Sequence, residues 1–280
     1  MSRPSESLAA PADRAAADLA VAPIERIEVP SRQVFEREYL RRRRPVILTG
    51  LTKNWLPTES WTLERVAGRY GDADVVAVTL ERGAVADDDR GGGLFHRVRL
   101  AEFAASLAGP GAARLYVVAS TWNFPPEFQR DYQVPAYCAD AAHLRIKVWI
   151  GKAGTVMPLH RDVPHNFHVH LSGRKRWLLF APSARVYPRG VFSGMPNFAS
   201  VDPEQPDYER FPRLRGATAL GATLNAGETL FIPQGWWHHI RSLDNAVSMN
   251  FWWGGPLVQL ASLASTAFKR LSGIRRDEWA

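Results

Sequence analysis

Four of the chain's eight histidines fall within "PLHRDVPHNFHVHLSGRKRWLLF", residues 158–180: His160, His165, His168 and His170. His160 and Asp162 stand two apart. Alternate residues of a strand face one side, so this imidazole and this carboxylate can offer two ligand atoms to one metal ion. A third histidine from a distant strand would complete a two-histidine-one-carboxylate face. That face suits Fe(II) and leaves positions open for a co-substrate and O2. The candidates for the third ligand are His238 and His239 of "FIPQGWWHHIRSL", residues 231–243. An H-x-D pair alone is a weak signal, because any single histidine here can also be a hydrogen-bonded pocket residue.

Three neighbouring features strengthen it. The run carrying His238 and His239 is proline-flanked and rich in aromatics. Lys175, one of only five lysines, follows His160 by fifteen residues. The segment between alternates, so Asn166, His168 and His170 share one face of a strand while Phe167, Val169 and Leu171 share the other.

These residues need a scaffold of strands. From residue 114 onward, "RLYVVAS", "RIKVWIGKAG", "VMPLHRD", "NFHVHLSGRKRWLLFAP", "GETLFIP", "WWHHIRSL" and "AVSMNFWW" are short apolar or alternating runs, most of them punctuated by Gly, Pro, Asp or Ser. Many short strands with turns between them indicate a sandwich or barrel. "HVHLSGRKRWLLF" is expected to be a hairpin turning at "SGR". Upstream, "SRQVFEREYLRR", "SWTLERVAGRYGD" (closed by Gly71) and "VRLAEFAASLAGP" carry helical spacing, with Ser31 as an N-cap for the first. "RPVILTG" and "DVVAVTL" read as strands, and "DDDRGGG" at 87–93 as a loop. Residues 1–23, rich in Ala, Ser, Pro and Asp, are expected to be a disordered tail. The segment 256–280 is expected to hold an amphipathic helix striped by Leu257, Leu260, Leu263 and Phe268.

Bulk properties narrow the classes. A chain of 280 residues makes one large domain or at most two. The net charge of +7 and pI of about 9.8 favour anionic partners. The arginines are nevertheless scattered apart from "RRRR" at 41–44, read as the solvated end of a helix, and no nucleic-acid-binding motif is present. The single cysteine, Cys138, excludes an intrachain disulfide and a cysteine-based zinc site and fits a reducing cytoplasm. The N-terminus has no apolar core of a signal peptide. No apolar run approaches the ~18 residues of a membrane span. The expectation is a cytoplasmic protein.

The pieces "RPVILTGLTKNW", "RLYVVAS", "PLHRDVPHNFHVHLSGRKRWLLFAP", "VDPEQPDYERFP", "GETLFIPQGWWHHIRSL" and "VSMNFWW", in this order, resemble the JmjC and cupin-like Fe(II)/2-oxoglutarate oxygenases. Within these the likeness is greatest to the branch of the asparaginyl hydroxylase that inhibits hypoxia-inducible factor and its bacterial relatives. It covers residues 25–255. The resemblance implies a mainly β fold with flanking helices, its core a double-stranded β-helix (jelly roll, cupin-like JmjC) over 24–255. It implies metal ligation by His160, Asp162 and His238, with His239 on the opposite face. It places the anchor for the far carboxylate of 2-oxoglutarate on Lys175, a phenol partner on Tyr116, and two polar co-substrate residues on Asn166 and Asn250. A buried dicarboxylate needs such a cation and donors against its desolvation cost. His168, His170 and Trp252 are the candidates for lining a substrate pocket. Two departures stand out. Met157 occupies a position where the resembled branch has a Thr, and "FSGMPNFAS" does not match that branch's substrate-contacting segment.

The implied activity is hydroxylation of a protein or peptide side chain, or of a small metabolite, coupled to conversion of 2-oxoglutarate and O2 to succinate and CO2. An N-demethylase, a tRNA- or natural-product hydroxylase and a non-enzymatic small-acid-binding cupin are the alternatives. A homodimer is a possible assembly.

Overall fold

A computed structural model describes residues 19–85, 95–108, 115–141, 143–190, 193 and 195–255. In chain order its strands are β1 (Ala20–Pro23), β2 (Arg26–Glu28), β3 (Val46–Thr49), β4 (Asp74–Glu81), β5 (Ala84–Val85), β6 (Phe95–Arg99), β7 (Leu115–Ser120), β8 (Leu144–Gly151), β9 (Val156–Arg161), β10 (His165–Ser172), β11 (Arg174–Phe180), β12 (Thr218–Asn225), β13 (Thr229–Ile232), β14 (Trp237–Ser242) and β15 (Ala246–Trp253).

Eight of these form the jelly roll that the sequence pattern implied. One sheet runs β8-β15-β10-β13 and the other β9-β14-β11-β12, all antiparallel. Further strands extend both sheets. β7 and β4 continue the first beyond β8, and β3 and β2 continue it beyond β13. β1 adds to the second sheet in parallel beside β12.

Alternation assigns each strand residue to one of three apolar layers. Val148, Ile150, Phe167, Val169, Phe231 and Phe251 turn to the helix side of the first sheet, against Phe35, Trp61, Val66 and Phe103. Tyr116, Trp149, Trp177, Leu179, Leu230 and Ile240 face the interior between the sheets. Leu159, Phe180, Val186, Leu214 and Trp237 cover the outside of the second sheet.

The helices follow local signals. Ser31 caps Arg32–Phe35 by accepting from the Val34 N–H, and the turn widens to a π-helix over Glu36–Leu40. Leu63–Tyr70 starts at Thr62, whose hydroxyl accepts from the Arg65 N–H, and ends at Gly71. Within "VRLAEFAASLAGP" the helix covers Leu100–Ala108, while Val98 and Arg99 finish β6, paired to β4. In the four-arginine run, Arg42 pairs with Glu38 and Arg44 with Glu25, as a solvated helix end would. No helix among the described residues is long and apolar enough to cross a membrane.

Two expectations need correction, and one strand was not anticipated. "SGR" is not a hairpin turn. β10 and β11 are separated only by Gly173, yet they belong to different sheets and pair with different partners. Gly173 is a corner, with φ +74° and so little room that a Cβ would lie 2.3 Å from the Asn245 carbonyl oxygen. Ordered structure is present upstream of Ile24, within the expected tail. Ala20–Pro23 pairs with Thr218–Gly221, and Leu19 and Ile24 are buried on either side of it. A remote strand edge supplies backbone partners that the local composition does not announce. Finally, "TALGATLN" forms β12 despite its small residues. The loop at 87–93, the helix at 256–280 and residues 1–18 of the tail lie outside the described residues.

Candidate active site

β9 and β14 are antiparallel neighbours with His160 opposite His238, and their ring centroids lie 4.1 Å apart. Asp162 follows the end of β9. One potential ligand atom from each of the three comes within 4.8 Å of the others. Nδ1 of His160 donates to the Pro158 carbonyl at 2.8 Å, and Nδ1 of His238 to the Trp236 carbonyl at 3.0 Å. A carbonyl only accepts, so each ring carries its proton on Nδ1 and presents a bare Nε2. Burial, and then the closeness of His238, keeps His160 neutral.

Asp162 is held from one side. Its Oδ2 accepts from Trp252 Nε1 at 2.7 Å and Asn166 Nδ2 at 3.3 Å. Both donors are neutral, so they orient the carboxylate without pairing its charge, and the same Oδ2 lies 3.6 Å from His238 Nε2. Two bare imidazole nitrogens and one oriented carboxylate are the donor set that Fe(II) takes as a facial triad.

A β-bulge aims these side chains. Between the pairs His238–His160 and Ile240–Met157, one residue of β14, His239, stands against two of β9, Pro158 and Leu159. Met157 and His160, three apart, therefore both face inward, and Met157 is packed among the interior apolar residues. His239 faces outward, as expected from the register.

The other expected residues converge deeper in the same interior. Lys175 is 1% exposed, and its ammonium donates to Ser248 Oγ at 2.7 Å and Tyr116 Oη at 3.3 Å. Burial pulls the lysine down to about 7 and pushes the tyrosine up. Gly151 lets the phenol approach, since a Cβ there would lie 2.6 Å from the Tyr116 ring. Ser248 escaped the sequence reading. It shares a face of β15 with Asn250, two residues on, so alternation could have found it.

A directional relay links Asp162 to His168. The Asn166 amide N–H donates to the Asp162 carboxylate. The Asn166 oxygen then accepts from Asn250 Nδ2 at 2.9 Å, and the Asn250 oxygen from His168 Nδ1 at 3.0 Å. His168 is thus a neutral ring with a bare Nε2, and burial lowers its proton affinity well below normal. That nitrogen, with Trp149 Nε1 and Trp177 Nε1, is buried without a hydrogen-bond partner among the described residues. Such atoms each cost about 1–3 kcal/mol unless something polar meets them. An interior with orphaned polar atoms at its middle, a cationic end and a ligand triad fits a bound metal and a dicarboxylate together. His170 instead turns Nε2 to the Gly173 carbonyl at 3.0 Å and braces the corner. Trp252 touches Asp162. His165 accepts from the Gln234 N–H at 3.0 Å, outside the triad.

A second cluster with ligand-like composition, Asp202, Glu204 and His239, lies on the outward face of β14. There Glu204 accepts from Arg176 Nε at 3.1 Å and Arg241 Nε at 2.6 Å. Both guanidiniums engage its carboxylate, so this is an ion-pair network rather than a metal face.

A jelly roll with an inward two-histidine-one-aspartate face and a buried lysine at its far end is the architecture of the Fe(II)/2-oxoglutarate oxygenases. The chain belongs to the cupin-like domain family, whose profile matches residues 31–257. It is 34% identical over 241 residues to a protein named lysine-specific demethylase 8 from Xenopus tropicalis, covering 82% of this chain and 52% of the relative. It is 28% identical over 248 residues to Jumonji C domain-containing protein 5 of Drosophila melanogaster, covering 82% and 59%. It is also 28% identical over 257 residues to the human protein named bifunctional peptidase and (3S)-lysyl hydroxylase JMJD7, covering 78% and 80%. The chain spans little more than half the length of the frog and fly relatives. Two of these names are lysine-directed and none is asparagine-directed, so the comparison establishes the family rather than the asparaginyl-hydroxylase branch.

Proposed function

We propose that this chain is an Fe(II)- and 2-oxoglutarate-dependent hydroxylase acting on a protein or peptide side chain. The observation that carries the reading is the two-ended interior: a triad of His160, Asp162 and His238 at its mouth and Lys175 with two hydroxyls at its floor. Bound there, Fe(II) with 2-oxoglutarate and O2 supplies the oxidising chemistry, 2-oxoglutarate leaving as succinate and CO2.

The chain's own residues do the rest. His160 and His238 hold Nε2 inward through their Nδ1–H bonds to backbone carbonyls, and Trp252 and Asn166 orient the Asp162 carboxylate. Lys175, Tyr116 and Ser248 take the far carboxylate of 2-oxoglutarate, which restores the ammonium's charge lost to burial. Asn166, Asn250 and His168 offer polar atoms along its length. Met157, Trp177, Leu179 and Ile240 keep water from the interior.

An N-demethylase would use the same site, and the names of the frog and zebrafish relatives favour that reading. Its product, formaldehyde, distinguishes it from a stable hydroxylated residue. The deciding experiment is incubation of purified protein with Fe(II), 2-oxoglutarate and O2. Iron-dependent succinate is the expected result. Tight binding of 2-oxoglutarate with no succinate under any condition would leave a small-acid-binding cupin instead.

A further inference from the structure

Three residues form one row at the level of the triad. His160 on β9 stands opposite His238 on β14 and, across the other edge of β9, opposite Phe198. Directly opposed residues of antiparallel neighbours turn their side chains to the same face, so Phe198 faces the interior beside both histidines. It is 6% exposed and belongs to the apolar lining between the sheets. It comes from "FSGMPNFAS", the segment that departs from the resembled branch.

The backbone fixes this segment to the outer edge of β9. The Arg161 N–H donates to the Asn197 carbonyl at 2.9 Å, and the Ala199 N–H to the Leu159 carbonyl at 2.8 Å. From the far side the Arg189 N–H donates to the Phe198 carbonyl at 2.8 Å, and the Ser200 N–H to the Tyr187 carbonyl at 2.9 Å. Phe198 is therefore bonded into an edge on both sides. Its ring stacks on the His160 imidazole, with centroids 5.1 Å apart and planes 20° apart, within the range of offset stacking. The His238 ring lies on the other side by strand register, at 4.1 Å and 58°. The bond from His160 Nδ1 to the Pro158 carbonyl holds one edge of the imidazole. A single bond at one edge leaves the ring free to tilt about it. A flat ring packed on its face removes that freedom.

We propose that Phe198 is a positioning residue of the metal site: its stack holds the His160 imidazole in the plane that presents Nε2 to the metal. The inference rests on the oxygenase reading above, which makes His160 a ligand. A side chain already held in its bound orientation costs less to order on binding, so the contribution of Phe198 is to metal affinity.

The test titrates Fe(II), without oxygen, into the metal-free full chain, and records the visible absorption of the Co(II)-loaded protein as a report of ligand geometry. Phe198→Leu keeps an apolar side chain but loses the flat face. It should weaken Fe(II) binding at least about fivefold and change the Co(II) bands. Phe198→Tyr keeps the ring and should bind within about twofold of wild type. Met195→Ala removes another buried side chain of the same segment and leaves the stacked rings in place. It should lower the melting temperature yet also bind within about twofold, which separates positioning from packing. Phe198→Leu binding Fe(II) as tightly as wild type would overturn the inference, as would a loss in Phe198→Tyr or Met195→Ala equal to that in Phe198→Leu. His160→Ala, measured in parallel, separates the failures. If His160→Ala loses affinity and Phe198→Leu does not, only the role of Phe198 falls. If His160→Ala binds as wild type does, His160 leaves the metal site and this inference falls with it.

Discussion

His238 and His239 are adjacent, yet they sit in two opposite clusters of similar composition. His238 has one carboxylate and a second histidine close by and His239 has two carboxylates, and each group brings its potential ligand atoms within 4.8 Å. What separates them is the source of compensation. Glu204 is bridged by Arg176 and Arg241, so its charge is neutralised inside the protein. Among the described residues Asp162 accepts from an indole and an amide N–H, both neutral, so its charge is oriented but not cancelled. A carboxylate that the fold positions without a counter-charge is set for a cation from outside. A carboxylate between two guanidiniums is part of the scaffold.

This contrast can be broken most sharply at the paired histidines. His238→Ala should weaken iron binding at least a hundredfold and abolish succinate formation, whereas His239→Ala should keep both within about threefold. Iron stoichiometry and turnover measured on the two variants decide it, and the reverse order would mean a register wrong by one residue.

The carboxylates should divide the same way. Glu204→Ala leaves two half-buried guanidiniums without their shared partner and should cost about 2–3 kcal/mol, a fall of roughly 4–12 °C in Tm. Asp162→Asn should lose iron but melt within about 2 °C of the metal-free wild type, because its neighbours are neutral. Thermal melts of metal-free protein test both halves.

The floor of the interior should respond separately from its mouth. Lys175→Met should raise the half-saturating 2-oxoglutarate concentration at least tenfold, about 1.4 kcal/mol or more, with iron binding intact. Equal values in titrations of the two proteins would remove Lys175 from the co-substrate site.

The smallest effect is one of pH. Free Lys175 loses its proton near 7, and a bound carboxylate raises that value. Binding therefore favours the protonated lysine: affinity is greatest below about pH 7 and declines as pH rises through it, by at most tenfold per unit. Isothermal titration from pH 6 to 9 should show this decline in wild type and its absence in Lys175→Met.

The inward and outward faces of β10 were legible from alternation alone. Asn166, His168 and His170 point opposite to Phe167, Val169 and Leu171 because a strand has a period of two, whatever it pairs with. The H-x-D pair, the chemistry it offers and the β-rich class were readable for the same reason: each depends on residues close in sequence. The candidate for the third ligand was readable only as one of two histidines until the resemblance chose between them.

Long-range pairing decided the rest. The bulge that sets His239 against Pro158 and Leu159 turns Met157 and His160 to one side, and it exists only where β9 meets β14. Ser248 became a partner of Lys175 because β15 lies across the interior from β11. Gly173 looked like a turn between paired strands. It became a corner between sheets because the hydrogen bonds of β10 and β11 are taken by strands much later in the chain, between Thr218 and Trp253. Local sequence determines which way a side chain points on its own strand. Which side chains it meets depends on the pairing that satisfies the backbone of the whole jelly roll.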